Sequence, residues 1–214
     1  MIEFKLLGIP VRVEPNFWFT LGLVGLIGSN IRSANGLLDL ALFILAGFVS
    51  LLIHEMGHAL MIKKYQLPTQ IVLSNFGGYA TYPAGILNRV QSFLVTAAGP
   101  GLQVIVALAT LLVVYRLLPG DLLQDNMLTH FIDTFITISL FWAALNCLPI
   151  HPLDGGQMLA AILGPKRQSI VHLISMITAG LMIIVAYKFG ALFGALFCGM
   201  FAYQNYKAWQ QSKS

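Results

Sequence analysis

In this chain of 214 residues, 57% of side chains are hydrophobic and only 9% charged, with a mean hydropathy of +0.80. A soluble domain carries roughly a quarter charged residues, so the composition excludes one and defines a polytopic membrane protein. The net charge of +4 comes without a basic stripe or a nucleic-acid motif, which argues against a nucleic-acid partner and fits cytoplasmic loops of a membrane protein.

Met1 to Glu14 alternates Ile2, Phe4 and Leu6 with Glu3 and Lys5, then Val11 and Val13 with Arg12 and Glu14, around a Gly8-Ile9-Pro10 break. This predicts a short N-terminal strand pair at the membrane surface. Phe17 to Ser29 is apolar but short against the ~20 residues that a span needs, and it reads as a first, short transmembrane helix opening near Pro15. Acidic residues ahead of it and the lack of a small-x-small site after it argue against a signal peptide.

Leu37 to Ile62 forms a second span, followed at once by Lys63 and Lys64. Pro68 ends the helical pattern, and Ile71-Val72-Leu73 and Tyr79-Ala80-Thr81-Tyr82 flank Ser74-Asn75-Phe76-Gly77-Gly78 as a β-hairpin. Non-helical backbone at membrane depth is tolerated only beside protein or a water-filled cavity, so this hairpin is expected to dip beside the functional site. Gln91 to Val114 is a third span. Its run Thr96-Ala97-Ala98-Gly99-Pro100-Gly101 predicts close helix packing and a kink or break at Pro100. After a polar turn at Pro119–Asp125 come spans at Met127–Leu148, Ser169–Tyr187 and Gly190–Tyr203, then a polar tail. The expected fold is an all-α polytopic membrane protein of about six transmembrane helices, with the strand pair and the membrane-dipping hairpin, as a single domain over residues 1–214.

Six spans place Lys5, Arg12, Lys63, Lys64, Arg89, Lys166, Arg167, Lys207 and Lys213 on one side and Arg32, Arg116 and Lys188 on the other. Positive residues favour the cytoplasm, so both termini are expected there. Cys147 and Cys198 lie in apolar runs and read as core residues, with no disulfide framework or zinc ribbon.

The second span carries His54-Glu55-Met56-Gly57-His58. An ionisable residue inside a membrane helix costs roughly 2.5 to 3.5 kcal/mol on insertion scales and reads first as functional. At about 100° per residue, His54 and His58 stand roughly 40° apart and one turn along the helix, so both imidazoles and Glu55 can face one cavity. Neutral imidazoles at i and i+4 bind a single Zn²⁺, and the adjacent carboxylate is placed as general base toward water. His58 precedes Lys63 by about 7.5 Å of helix rise, which puts this end of the span nearer the cytoplasmic face.

A third ligand is expected from Asn146-Cys147-Leu148-Pro149-Ile150-His151-Pro152-Leu153-Asp154-Gly155-Gly156. Pro149 and Pro152 stop the fourth span, and Gly155-Gly156 permit a sharp turn, so Asp154 is predicted on unwound chain on the same membrane side as the histidines. Two His and one Asp leave a coordination position open, as catalytic zinc sites do. His151 reads as an interface residue or a support for the ligands. His130 and His172 read as packing or interface residues near span ends.

The pairing of His54-Glu55-Met56-Gly57-His58 with Asn146, Pro149, Asp154 and Gly155 resembles the site-2 protease family of intramembrane zinc metalloproteases, and the likeness extends over Phe76-Gly77-Gly78 and Ala98-Gly99-Pro100. The resemblance implies peptide-bond hydrolysis within or near a transmembrane segment of another membrane protein, such as a membrane-anchored regulator of the anti-sigma-factor type, in regulated intramembrane proteolysis. It also implies a multi-pass protein of a prokaryotic cell membrane with its active-site end cytoplasmic. Within it, Asn146 would donate a hydrogen bond to the developing oxyanion, where an interhelical hydrogen bond is the alternative. Many members carry a PDZ or CBS domain, for which no segment here is long enough. A membrane di-iron oxygenase needs about eight histidines against the five present. A non-proteolytic metal-binding transporter is the other alternative; it would not require Glu55 beside the two histidines.

Overall fold

The computed structural model describes residues 1–28, 35–75, 77–117 and 126–212. Ser29, Arg32, Phe76, the Pro119–Asp125 turn and Lys213 of the sequence reading lie outside them. The chain divides into two compact units, one of Met1–Ala84 with Ala98–Ala143 and the other of Gly85–Ala97 with Ala144–Ser214.

The first unit opens with β1 (Ile2–Leu6) and β2 (Ile9–Val13), paired antiparallel with Leu6 opposite Ile9. Their two-residue connection is Leu7 and Gly8, with φ of 51° and 76°. Positive φ at both central residues is what lets a two-residue loop follow the twist of a hairpin. The turn thus lies one step before the expected break, and Pro10 belongs to β2. That is tolerated because pairing of β2 with the next strand starts only at Val11.

β3 (Gln70–Ser74) and β4 (Gly77–Thr81) form the second hairpin, with Val72 opposite Tyr79. The two hairpins are not separate, as the sequence reading had them: β2 pairs parallel with β3, Val11 against Ile71 and Val13 against Leu73, which makes one sheet in the order β1-β2-β3-β4. A parallel pair needs a long crossover, and here α1 (Pro15–Gly28) and α2 (Gly36–Lys64) supply it. α1 starts on proline, whose missing N–H costs nothing at a first helical position.

Alternation along β2 buries Ile9, Val11 and Val13, and these join Phe17, Ile71, Leu73 and the α2 residues Leu51, Met56 and Ala59 in one cluster. The sheet is therefore packed onto the turn of α2 that carries the two histidines. Lys63 Nζ donates to the Leu7 carbonyl at 3.0 Å, tying the end of α2 to the β1–β2 turn. The rest of this unit is α3 (Arg89–Leu117) from Ala98 onward and α4 (Met127–Asn146) as far as Ala143. Phe135 and Ile136 of α4 pack with Ala46 of α2. α3 runs through Pro100 as continuous helix, without the local break that was one of the two expectations there.

The second unit contains α5 (Asp154–Leu163), a 3-10 turn at Pro165–Arg167, α6 (Gln168–Lys188) and α7 (Leu192–Gln211). Ile150, Ala179 and Phe201 form its core. Gly164, at φ +80°, ends α5, and Arg89 caps that end by donating to the carbonyls of Ala161, at 2.9 Å, and Ile162.

Among the described residues four helices are long and apolar enough to cross a membrane: Gly36–Lys64, Arg89–Arg116, Met127–Asn146 and Pro165–Lys188. Two of the six expected spans do not meet that standard. Pro15–Ile27 is apolar but too short. α7 has the length but carries Gln204, Asn205, Lys207 and Gln210 in its second half.

Candidate metal centre

His54 and His58 lie one turn apart on α2, and both are buried. Their Nε2 atoms are 3.1 Å apart, with the rings edge to face at 80°. Two Zn–N bonds of 2.0–2.1 Å meeting at a tetrahedral angle put the nitrogens about 3.3 Å apart, so the pair fits one zinc ion without rearrangement. The chemistry of the donors agrees, because two imidazoles one helical turn apart are a normal part of a catalytic zinc set.

The other nitrogen of His54 is also engaged: Nδ1 lies 3.0 Å from Gln103 Oε1 on α3. Glu55, next in chain, is buried, and the hairpin closes over it: a Cβ at Gly78 of β4 would lie 2.7 Å from Glu55 Cγ. The expected pairing of the hairpin with the site is thus present at this residue.

Two glycines let α3 approach α2. A Cβ at Gly57 would lie 2.2 Å from the Ala98 carbonyl oxygen, and one at Gly99 would lie 2.2 Å from His58 Nε2. The run around Gly99 read in sequence as helix packing and as part of the family resemblance. It also forms a wall against the metal-binding edge of His58, and its nearness to the motif became visible only with the helices placed.

Asn146 and Asp154 belong to the second unit. Asn146 is the last residue of α4 and is buried. Asp154, expected on unwound chain, is the buried first residue of α5. Gly155 and Gly156 serve close approach within a helix rather than a sharp turn. A Cβ at Gly155 would lie 2.3 Å from the carbonyl oxygens of Cys147 and Leu148, and one at Gly156 would lie 2.3 Å from His151 N.

Asn205 and Ser175, not singled out in sequence, hold the same turn. Asn205 Nδ2 donates to the His151 carbonyl at 2.5 Å, and His151 N donates to Ser175 Oγ at 3.0 Å. His172 Nδ1 meets Asn205 Oδ1 at 2.9 Å, so its role is structural. The His151 ring packs edge-on against that of His172, with centroids 5.6 Å apart. Burial, and secondarily the nearby His172, lower the His151 pKa. Cys147, expected in the core, is exposed. Desolvation and then the Asp154 charge push its thiol up, which disfavours the thiolate needed of a zinc ligand.

These features define a helical membrane protein whose long second helix carries a buried dihistidine metal centre with a carboxylate beside it. Residues 116–186 match the family model described as Peptidase family M50. Zinc metalloprotease MJ0392 of Methanocaldococcus jannaschii is 32% identical over 165 residues, covering 76% of this chain and 45% of that protein. A relative from Synechocystis sp. is 31% identical over 170 residues, 74% of this chain and 42% of its own length. The chain therefore spans less than half the length of these curated relatives. The solved structure of a site-2 protease from Methanocaldococcus jannaschii superposes with a TM-score of 0.66 at 25% identity, over 97% of this chain and 94% of the other. The chain belongs to peptidase family M50, the site-2 proteases.

Proposed function

We propose that this protein is an intramembrane zinc metalloprotease that hydrolyses peptide bonds within or near transmembrane segments of other membrane proteins. The observation that carries the reading is the buried pair of Nε2 atoms 3.1 Å apart on a membrane-length helix, with Glu55 adjoining. Asp154 is the third ligand: it is a buried carboxylate at a helix start, within the segment that matches the family model.

A bound zinc ion supplies Lewis-acid polarisation of a peptide carbonyl and lowers the pKa of a water to about 7. Glu55, held under the hairpin at Gly78, takes the proton of the attacking water and returns it to the departing amine. Asn146 donates to the oxyanion as it develops. Substrate entry requires local unwinding, because a helix hides its carbonyls; the β4 edge beside Glu55 is where an extended segment would pair.

The substrate class extends to membrane-anchored regulators, and the lysines that follow His58 favour a site nearer the cytoplasmic face with both termini on that side. The test combines metal analysis of the purified protein with cleavage of single-pass membrane substrates. Glu55→Gln is expected to keep one zinc per chain and to lose at least 10²-fold in cleavage rate. A wild-type protein that binds zinc and moves it across vesicles, with no cleavage, would establish the transporter instead.

A further inference from the structure

The mechanism uses His54 only through Nε2, yet its Nδ1 side is the better furnished. Gln103, fully buried on α3, accepts at Oε1 from His54 Nδ1 at 3.0 Å. Its Nε2 donates to Ser50 Oγ at 2.8 Å and toward the Ser50 carbonyl at 3.4 Å. Ser139, on α4, donates its hydroxyl to Ser50 Oγ at 2.9 Å. Ser50 and Ser139 are as fully buried as Gln103, so three helices contribute to a polar chain that ends on one imidazole nitrogen.

We propose that Gln103, oriented by Ser50 and Ser139, is a positioning residue that fixes the tautomer of His54 with its proton on Nδ1 and its lone pair on Nε2. The polarity of the amide decides the matter. A backbone carbonyl only accepts, so the side of Gln103 that faces the Ser50 carbonyl must be its NH₂ group. Its oxygen is then the atom facing His54, and an oxygen there demands a proton on Nδ1. Turned over, the amide would set two oxygens against each other at Ser50. It would also require Nδ1 as acceptor, with the proton on Nε2, where it would block the metal. Ser50 Oγ accepts from both Gln103 and Ser139, which its two lone pairs allow; it is the Ser50 carbonyl, which cannot donate, that fixes the polarity of the amide. Nε2 is thereby aimed at His58 with its lone pair free of a proton before any ion arrives.

The inference rests on the proposed metal reading, and zinc affinity with the His54 tautomer tests the two apart. Protein labelled with ¹⁵N-histidine is purified metal-free in detergent, and its imidazole nitrogens are assigned by comparison with His54→Ala. The His54 proton is expected on Nδ1 in the wild type. A proton on Nε2 overturns the proposal whatever any variant does. Gln103→Met keeps the volume and removes both amide groups. It is expected to bind zinc 10- to 100-fold more weakly, with His54 sampling the other tautomer, and Gln103→Glu, which keeps an acceptor, is expected to restore affinity to within a few-fold. Ser139→Ala is expected to weaken binding by less than Gln103→Met, and it serves if the methionine variant does not fold. Unchanged zinc affinity in Gln103→Met, or in Ser139→Ala standing in for it, overturns the role of Gln103. A wild-type protein that binds no zinc, with His54 still protonated on Nδ1, overturns the metal reading and leaves the tautomer assignment standing.

Discussion

At the scale of single residues, the site is defined as much by what is missing as by what is present. His58 needs the space in front of Nε2, and Gly99 provides it: a methyl group there would lie 2.2 Å from that atom. Gly99→Ala is therefore expected to displace the imidazole and weaken zinc binding at least tenfold, as read by competition with a chromophoric chelator. His151 gives a pH signature. Its pKa is lowered in the fold, so as pH drops through about 6.5 the unfolded chain takes up a proton that the folded chain does not. Stability is thus expected to fall with pH below that value and to level off only beneath the lowered pKa. The difference between wild-type and His151→Gln thermal midpoints across pH 7.5 to 5 checks the sign. These residues also mark what was legible. His54, Glu55 and His58 could be read because their relation depends on one helical turn, whereas Gln103 and Gly99 act on them from another helix, and no local pattern announces that.

Among the elements, helices and strands were visible from periodicity and their partners were not. The alternation of Ile9, Val11 and Val13 showed a strand, but its parallel neighbour lies across two helices in the chain. α5 was missed because Gly155-Gly156 read as a turn, when their lack of side chains lets the helix start press on the Cys147–His151 backbone. That turn depends on α7. Asn205→Leu removes the donor to the His151 carbonyl and the partner of His172 Nδ1, and leaving these half-buried groups unmet is expected to cost about 1 kcal/mol in denaturant unfolding. The β1–β2 turn offers the opposite sign. Leu7 is exposed and holds a left-handed conformation that costs a branched L-residue roughly 1–2 kcal/mol and asparagine less. Leu7→Asn, giving the favoured Asn-Gly turn, is expected to raise the thermal midpoint without changing zinc content.

For the whole molecule, composition alone established a membrane protein, and four of the described helices have the length and apolarity to cross one. The two other expected spans fall short of that standard among the described residues for different reasons: the first helix is short, and the last turns polar halfway along. An ion held by a folded protein and not by the unfolded chain adds stability by mass action, about 2.7 kcal/mol at a free concentration 100 times Kd. Chelation is therefore expected to lower the thermal midpoint, and the loss is expected to vanish in His54→Ala.

The parallel seam between β2 and β3 sets an order of events during synthesis. Val11 leaves the ribosome some 60 residues ahead of Ile71, which at 5–20 residues per second is a wait of about 3 to 12 s. Throughout it the nascent hairpin presents a bare backbone margin, and the motif helix has to be synthesised before that margin can close. The wall over Glu55 is thus completed only after the helix bearing it has been made, so newly made chains are expected to pass through a stage in which that residue is open to one side.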